Sequence, residues 1–261
     1  MVERLSISDN SLFAGYAENI QRSEFALAYC QGKRVLDAGC GSGYGSYFLA
    51  SNGAMSVLAV DISDEAIIEA TRSYQLANLH FERRDLQILN DEALSAQFDV
   101  VVNFEVLAHL PDPEKFIRGV TTVLVQGGTL VTSTPNGELV DTDQYGRPLY
   151  KYQYKAYMPD DFKSFLSAHF REVSIYGHWL THQGMLRKMR ARELFEQLCE
   201  AYYNPMCRVG RAIKRMAGKN AAGPPIFRGA ADSYVGDYVI LPLGAGGLRW
   251  PPSTLIAVCK T

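Results

Sequence analysis

The chain has 261 residues, 47% hydrophobic and 21% charged. Such values exclude disorder, collagen and coiled coil as descriptions of the whole chain, and the length predicts one large domain or one domain with a sizeable insertion. The net charge of −2 hides an asymmetry, with −8 over residues 1–120 and +7 over residues 184–261, which excludes a uniformly basic nucleic-acid binder.

A helical pattern over about 17–30 ends before Gly32. Val35-Leu36 begins a short buried strand closed by Asp37 and a glycine cluster, and helical spacing resumes over about 43–51. SVLAVD (56–61) reads as a second strand. Ser63, Asp64 and Glu65 start a helix that the pattern extends to about 77. A short strand near 79–83 precedes FDVVVNF (98–104), whose continuous apolar run suits a strand covered on both faces. Pro113 opens a helix that stops before Gly127-Gly128, and TLVTSTP (129–135) is the next strand. Strands alternating with helices predict a parallel α/β sheet, because parallel neighbours need a long crossover.

The alternation lapses after residue 135. Residues 136–158 read as a tyrosine-rich loop, 159–170 as a helix opened by Pro159, and 171–177 as a strand. A long basic helical region covers about 185–217, and residues 217–231 have a linker composition. DYVILPL (237–243) and LIAVCK (255–260) read as strands. The expected division is a core over 1–180, a basic helical insertion or lid with its connector over 181–253, and a final core strand over 254–261.

Five cysteines without a CxxC pair predict neither a disulfide framework nor a zinc knuckle, and a reducing cytoplasm is the expected compartment. The first ten residues show no secretory pattern, and no apolar run approaches the roughly 18 residues of a membrane span.

VLDAGCGSGYG (35–45) is the sharpest feature. Glycines between a strand and a helix permit a tight turn and close backbone approach by a ligand. The spacing from Gly39 is GxGxGxG, which fails the GxGxxG dinucleotide fingerprint. Asp37 before the turn would repel a pyrophosphate and attract an ammonium or sulfonium. Asp61 ends the second strand, where a carboxylate can accept from ribose hydroxyls; its other reading is a helix cap, a task Ser63 or Asp64 also suits. Asp85 could accept from an adenine amino group or could pair with Arg83 or Arg84 in an exposed loop.

Together these residues resemble class I S-adenosylmethionine-dependent methyltransferases over about residues 20–178 and the last strand. VLDAGCGSGYG is similar to that family's first motif, LAVDIS to the second, RRDL to the adenine-side motif, FDVVVNFEVLAHLPDPEKF to the fourth-strand motif and LVQGGTLVTSTPN to the fifth. The resemblance implies a Rossmann-like seven-stranded sheet, mostly parallel with its last strand antiparallel, carrying a helical insertion before that strand. It implies S-adenosyl-L-methionine held by Asp37, Ala38, Gly39, Gly41, Gly43, Asp61, Ile62, Asp85, Leu86, Asn103, Phe104 and Glu105. Within the superfamily the chain is most similar to bacterial enzymes of glycan or natural-product biosynthesis. Ala108 stands where those commonly have Glu, and Gln153 and Ala156 where His and Glu are common, so no acid–base role carries over to them.

Methyl transfer from a sulfonium is an in-line displacement that needs alignment and, for a hydroxyl acceptor, a base. Acceptor residues are expected after the fourth and fifth strands: Glu105, His109, Asn136, Asp141, Asp143 and the tyrosines. His109 is the expected base, against a structural His bonded to a carbonyl, with Asp143 and Tyr154 as further catalytic candidates. Tyr150, Tyr152 and Tyr154 suit a sugar or aromatic acceptor, or else mark one face of an edge strand. RKMRAR (187–192) and its neighbours fit a solvated lid, an anionic acceptor or a peripheral membrane contact. His178 and His182 lack a third ligand, so no metal is expected, and no nucleic-acid partner is expected. The resemblance implies O-methylation of a small-molecule or sugar-type acceptor; N-methylation of a natural product, a silent cofactor-binding protein and a nicotinamide-dependent oxidoreductase are the rival readings.

Overall fold

The computed structural model describes residues 13–89, 94–144, 147–180, 238–244 and 251–261. The chain divides into two units, residues 1–179 with 240–261, and residues 180–239. The second unit lies almost wholly outside the described residues, as do the expected basic helix, the linker, Tyr145 and His182.

The elements run α1 (Phe13–Cys30), β1 (Arg34–Ala38), α2 (Tyr44–Ser51), β2 (Ser56–Asp61), α3 (Asp64–Ser73), β3 (Leu79–Arg83), β4 (Phe98–Asn103), α4 (Pro113–Val123), β5 (Leu124–Pro135), α5 (Pro159–Ser167), β6 (Glu172–Leu180), β7 (Tyr238–Pro242) and β8 (Thr254–Lys260). They build one sheet in the order β3-β2-β1-β4-β5-β8-β6-β7. β1 to β5 pair in parallel, and β8 runs antiparallel between β5 and β6. The described sheet therefore has eight strands: the expected seven, with the antiparallel closing strand, plus β7 on the β6 edge.

Side chains alternate between two apolar layers, as strand geometry requires. Val35, Val57, Val100, Val131 and Ile256 pack with Ala26 and Cys30 of α1 and Leu49 of α2. Leu36, Val101, Leu130 and Leu255 pack with Phe116 and Val120 of α4 and Phe162 and Leu166 of α5. Helices on both faces explain the continuous apolar strands.

Local chemistry sets the boundaries. Ser63 caps α3, its Oγ accepting from the Ala66 amide at 3.3 Å, and Asp112 caps α4 through the Lys115 amide at 2.9 Å. α3 ends at Ser73, short of the expected 77, because Tyr74 turns extended and stacks on Tyr47 of α2 at 4.8 Å. β5 begins at Leu124 rather than 129, and its pairing with β4 jumps from Phe98↔Leu124 to Val100↔Thr129. Gly127 and Gly128 thus sit within an irregular strand, and α4 ends at Val123, ahead of the stop expected at the glycines. At the start of β1 and β4, Arg34 grips Asp99 with two guanidinium bonds of 3.0 Å and its amide at 2.9 Å. That grip holds the Asp99 carboxyl below the usual range. It lies at the opposite ends of these strands from the glycine loop.

The strand order reverses between β1 and β4, each of which pairs on a different side. The carboxyl ends of these two strands therefore open a crevice at the switch point, where α/β sheets bind ligands.

Candidate active site

The glycine loop follows β1 directly. Gly39 (φ 94°) and Gly43 (φ 82°) occupy the left-handed region. A Cβ on Gly39 would lie 2.4 Å from Val106 Cγ2, and one on Gly43 would lie 2.7 Å from both Ala70 Cβ and the Phe81 ring. Both positions require glycine for conformation and for space. The amides of Gly39 and Cys40 donate to the Val60 carbonyl at 2.8 and 3.0 Å, which ties the loop to β2.

Asp61 completes that tie. Its Oδ2 accepts from the Gly41 amide at 3.0 Å and its Oδ1 from the Ser63 amide at 3.0 Å. A carboxylate offers about four lone-pair sites, so two remain for a ligand. Asp37 is buried and receives the Ser46 hydroxyl at 2.6 Å. Burial pushes its carboxyl up to about 6, the Ser46 bond opposing and the neighbouring Asp61 charge adding to the rise. Two acids sharing one pocket favour a cation beside them.

Asp85 caps the short 3-10 turn at Leu86–Ile88, accepting from the Gln87 amide at 2.9 Å. Arg83 pairs with Asp64 and Arg84 with Glu82, so those arginines have other acids than Asp85. Leu86 is buried, whereas Ile62 and Ile88 are exposed apolar side chains next to these acids in sequence. Asn103 is fully buried and its side chain is occupied, donating to the Ala38 carbonyl at 2.6 Å and accepting from Thr132 Oγ1 at 3.1 Å. It braces β1 against β4 and β5, so a ligand would meet only its main chain. Phe104 packs on the α1–α2 layer. Glu105 adopts φ 57°, uncommon outside glycine, and Ser133 Oγ both accepts from its amide at 3.0 Å and donates to its Oε1 at 2.7 Å.

Arg22 carries no sequence motif, yet it is 3% exposed and its Nε has no hydrogen-bond partner among the described residues. Its Nη2 donates to Asn19 Oδ1. Ser23 beside it lies 3.3 Å from the Cβ position of Gly45, at the start of α2. A buried guanidinium short of an acceptor calls for an anion. The visible signal was a charge in register with Ala26 and Cys30 on the inward stripe of α1.

On the acceptor side, a 3-10 turn at Leu107–His109 follows β4. His109 Nδ1 lies 2.7 Å from the Tyr152 carbonyl, and the Tyr154 amide donates to the Ala108 carbonyl at 2.8 Å. A carbonyl only accepts, so Nδ1 donates to it, the bond expected of a structural His; in the neutral ring this leaves Nε2 without a proton. Asp143 stands differently. Its Oδ1 accepts from the Arg147 amide at 2.9 Å and its Oδ2 from Arg147 Nε at 2.9 Å, with Nη2 at 2.8 Å. This pairing closes the loop around Asp143, a further catalytic candidate. Asn136 is buried and bridges the Pro252 carbonyl and the Glu138 amide, so it too is structural. Asp141 is exposed. The tyrosine segment forms turns rather than an edge strand. Tyr150 and Tyr152 meet edge to face at 5.4 Å, Tyr154 is 64% exposed, and Tyr157 lies in the core against Phe162.

A model of the methyltransferase domain family matches residues 30–184, more than half of the chain. The chain belongs to the methyltransferase domain family. S-adenosylmethionine is the cofactor of this family, and the buried Asp37, the acceptor capacity left on Asp61 and the bare glycine backbone are the kinds of group that a cationic, hydroxyl-bearing ligand needs. The chain is 38% identical over 109 residues to a ubiquinone biosynthesis O-methyltransferase of Coxiella burnetii, covering 41% of this chain and 45% of that protein. The matched segment spans about half the length of such curated relatives. In fold it is similar to an S-adenosylmethionine-dependent methyltransferase of Mesorhizobium loti, with a TM-score of 0.56 and 17% identity over 95% of this chain and all of that one. It is also similar to a Haemonchus contortus phospholethanolamine N-methyltransferase solved with S-adenosylhomocysteine, with a TM-score of 0.59 and 17% identity over 94% of this chain and 53% of that one. Among the described residues, no cluster of His, Cys, Asp or Glu could hold a metal, and no helix is long and apolar enough to cross a membrane.

Proposed function

We propose that this methyltransferase domain transfers a methyl group from S-adenosylmethionine to a hydroxyl of a small acceptor of sugar, glycan or aromatic-metabolite type. The observation that carries the reading is His109 in the turn after β4, its Nδ1 on the Tyr152 carbonyl, which in the neutral ring leaves Nε2 unprotonated. When bound, the cofactor supplies an activated methyl on a sulfonium. The chain's part is then to orient, to exclude water and to take one proton. Asp37 would face the ammonium, Arg22 the carboxylate and Asp61 the ribose hydroxyls. Asp85 with Leu86 would face the adenine side, where Ile62 and Ile88 offer apolar cover. His109 Nε2 would take the acceptor proton as the new C–O bond forms. The exposed tyrosines at 150 and 154 offer apolar faces with polar tips, which suits sugar and aromatic rings. Lys151, whose Nζ lies 4.5 Å from the Tyr152 ring centre, would tolerate an acidic acceptor. The O-methyltransferase among its relatives supports oxygen as the acceptor atom.

His109→Ala tests the reading. Turnover should fall by about 10²-fold or more, the usual worth of a positioned base, while S-adenosylhomocysteine binding by calorimetry stays unchanged. Full turnover in this variant would remove the base and favour an acceptor, such as an amine, that needs none.

A further inference from the structure

We infer that the tyrosine loop at 150–154 is a positioning element that sets the tautomer of His109 through its main chain. The inference rests on the reading of His109 as base for its purpose, but its measurement needs no turnover. Neutral imidazole left to itself favours the proton on Nε2, the nitrogen that a base must keep free. Here the Tyr152 carbonyl, 43 residues further along the chain, stands 2.7 Å from Nδ1 and draws the proton there. The loop holds the same turn at a second point, since the Tyr154 amide donates to the Ala108 carbonyl at 2.8 Å. The turn is closed in its turn by the His109 amide on the Val106 carbonyl at 2.8 Å.

The loop is anchored at its far end and exposed at its crest. The Gly137 amide donates to the Tyr157 carbonyl at 2.8 Å, and the Tyr157 ring is buried. Leu149, Tyr150 and Tyr154 are exposed. The Gln153 amide donates to the Tyr150 carbonyl at 3.0 Å, which closes the crest itself. The segment that can meet an acceptor is thus the segment that places the proton on the ring. This gives a reason why Gln153 and Ala156 can depart from the usual His and Glu: the control passes through amides and carbonyls that any side chain leaves in place.

The test is a long-range proton–nitrogen spectrum of the full chain labelled with 15N-histidine, recorded at about pH 8, where imidazole is neutral. The chain has five histidines, and His109→Gln identifies the signal by its loss. The expected pattern is a protonated Nδ1 and a bare Nε2. Tyr154→Pro removes one amide donor and should move both nitrogens toward the averaged or Nε2–H pattern, while Tyr154→Phe leaves them unchanged. Gln153→Pro, which opens the crest, serves if Tyr154→Pro does not fold. Turnover should drop about 10-fold in the proline variant with S-adenosylhomocysteine affinity retained. An Nε2–H or averaged His109 in the unaltered protein overturns the inference, as does a folded proline variant with an unmoved tautomer. The expected tautomer together with an active His109→Ala variant would keep the positioning role and discard the base.

Discussion

The two ends of the crevice hold their functional groups by different means. Beyond β1, β2 and β3, the acids are fixed mostly by groups within ten residues: Asp61 by the Ser63 amide, with the Gly41 amide reaching it from the preceding turn, Asp37 by Ser46, Asp85 by Gln87. Beyond β4 and β5, His109 is fixed by a carbonyl from an irregular loop, and Glu105 by Ser133 on the next strand. The first end is a strand–turn–helix unit whose geometry follows from its glycines. The second is assembled by tertiary contact and can vary with the loop. A shared cofactor with differing acceptors requires this division, because the invariant ligand sits on rigid local structure and the variable one on connections.

The largest break is expected at the rigid end. Gly43→Ala would force a Cβ to 2.7 Å from Ala70 Cβ and the Phe81 ring at φ 82°. Left-handed strain of about 1–2 kcal/mol adds to overpacking of about 1–3 kcal/mol. Urea denaturation should show a loss of about 2–5 kcal/mol, and S-adenosylhomocysteine binding should fall below detection. Unchanged stability would mean that α2 and α3 can part freely, and the rigid end would not be rigid.

A smaller and reversible effect follows from Asp37. Burial raises its carboxyl to about 6, above the roughly 3.9 of an unfolded Asp. The folded state therefore binds the extra proton between those values, and the stability of the unliganded protein falls as pH rises through about 4 to 6. A cationic ligand acts in the opposite sense, because it needs the charged form. S-adenosylhomocysteine carries an ammonium, so its affinity should drop up to about tenfold per pH unit below about 6. Asp37→Asn should bind weakly and without that slope. A wild-type affinity flat from pH 7 to 5 would place the ammonium elsewhere.

The same division governs what was legible in the sequence. The positions of Asp37, Gly39 and Gly43 follow from one strand and its turn, and that of Asp61 from the end of the next parallel strand, which pairs with the first in register. Arg22 is legible only as a charge in register with Ala26 and Cys30, because the register shows a shared helix face but not that the face is buried. The end of α3 was misplaced because the Tyr74–Tyr47 stack overrides a continuing helical pattern. The start of β5 was misplaced because Gly127 looks like a break and is accommodated in an irregular pairing. Asn103 reads as a ligand from its motif, while its side chain is consumed in joining three strands. A carbonyl bond to His109 is one of the two readings its sequence allows, but nothing in the spacing names residue 152 as the source of that carbonyl.

The smallest effect belongs to Asp143, and it sharpens the variable end. Its partner Arg147 is 72% exposed, so the pair is worth at most about 1 kcal/mol. Asp143→Asn keeps the shape and an oxygen for the Arg147 amide while removing the charge. The midpoint of thermal unfolding should shift by no more than a few degrees, and turnover should stay within about twofold, since a loop brace carries no proton. Two acids in one loop, Asp141 and Asp143, make a carboxylate base the natural competitor of His109. A loss in Asp143→Asn as large as that in His109→Ala would transfer the base to the carboxylate and leave Arg147 as the group that holds it. Because the carboxylate already accepts three bonds from Arg147, taking a proton would mean weakening that pairing, whereas His109 keeps its carbonyl bond throughout. The chemistry therefore favours the group whose restraint survives the proton transfer.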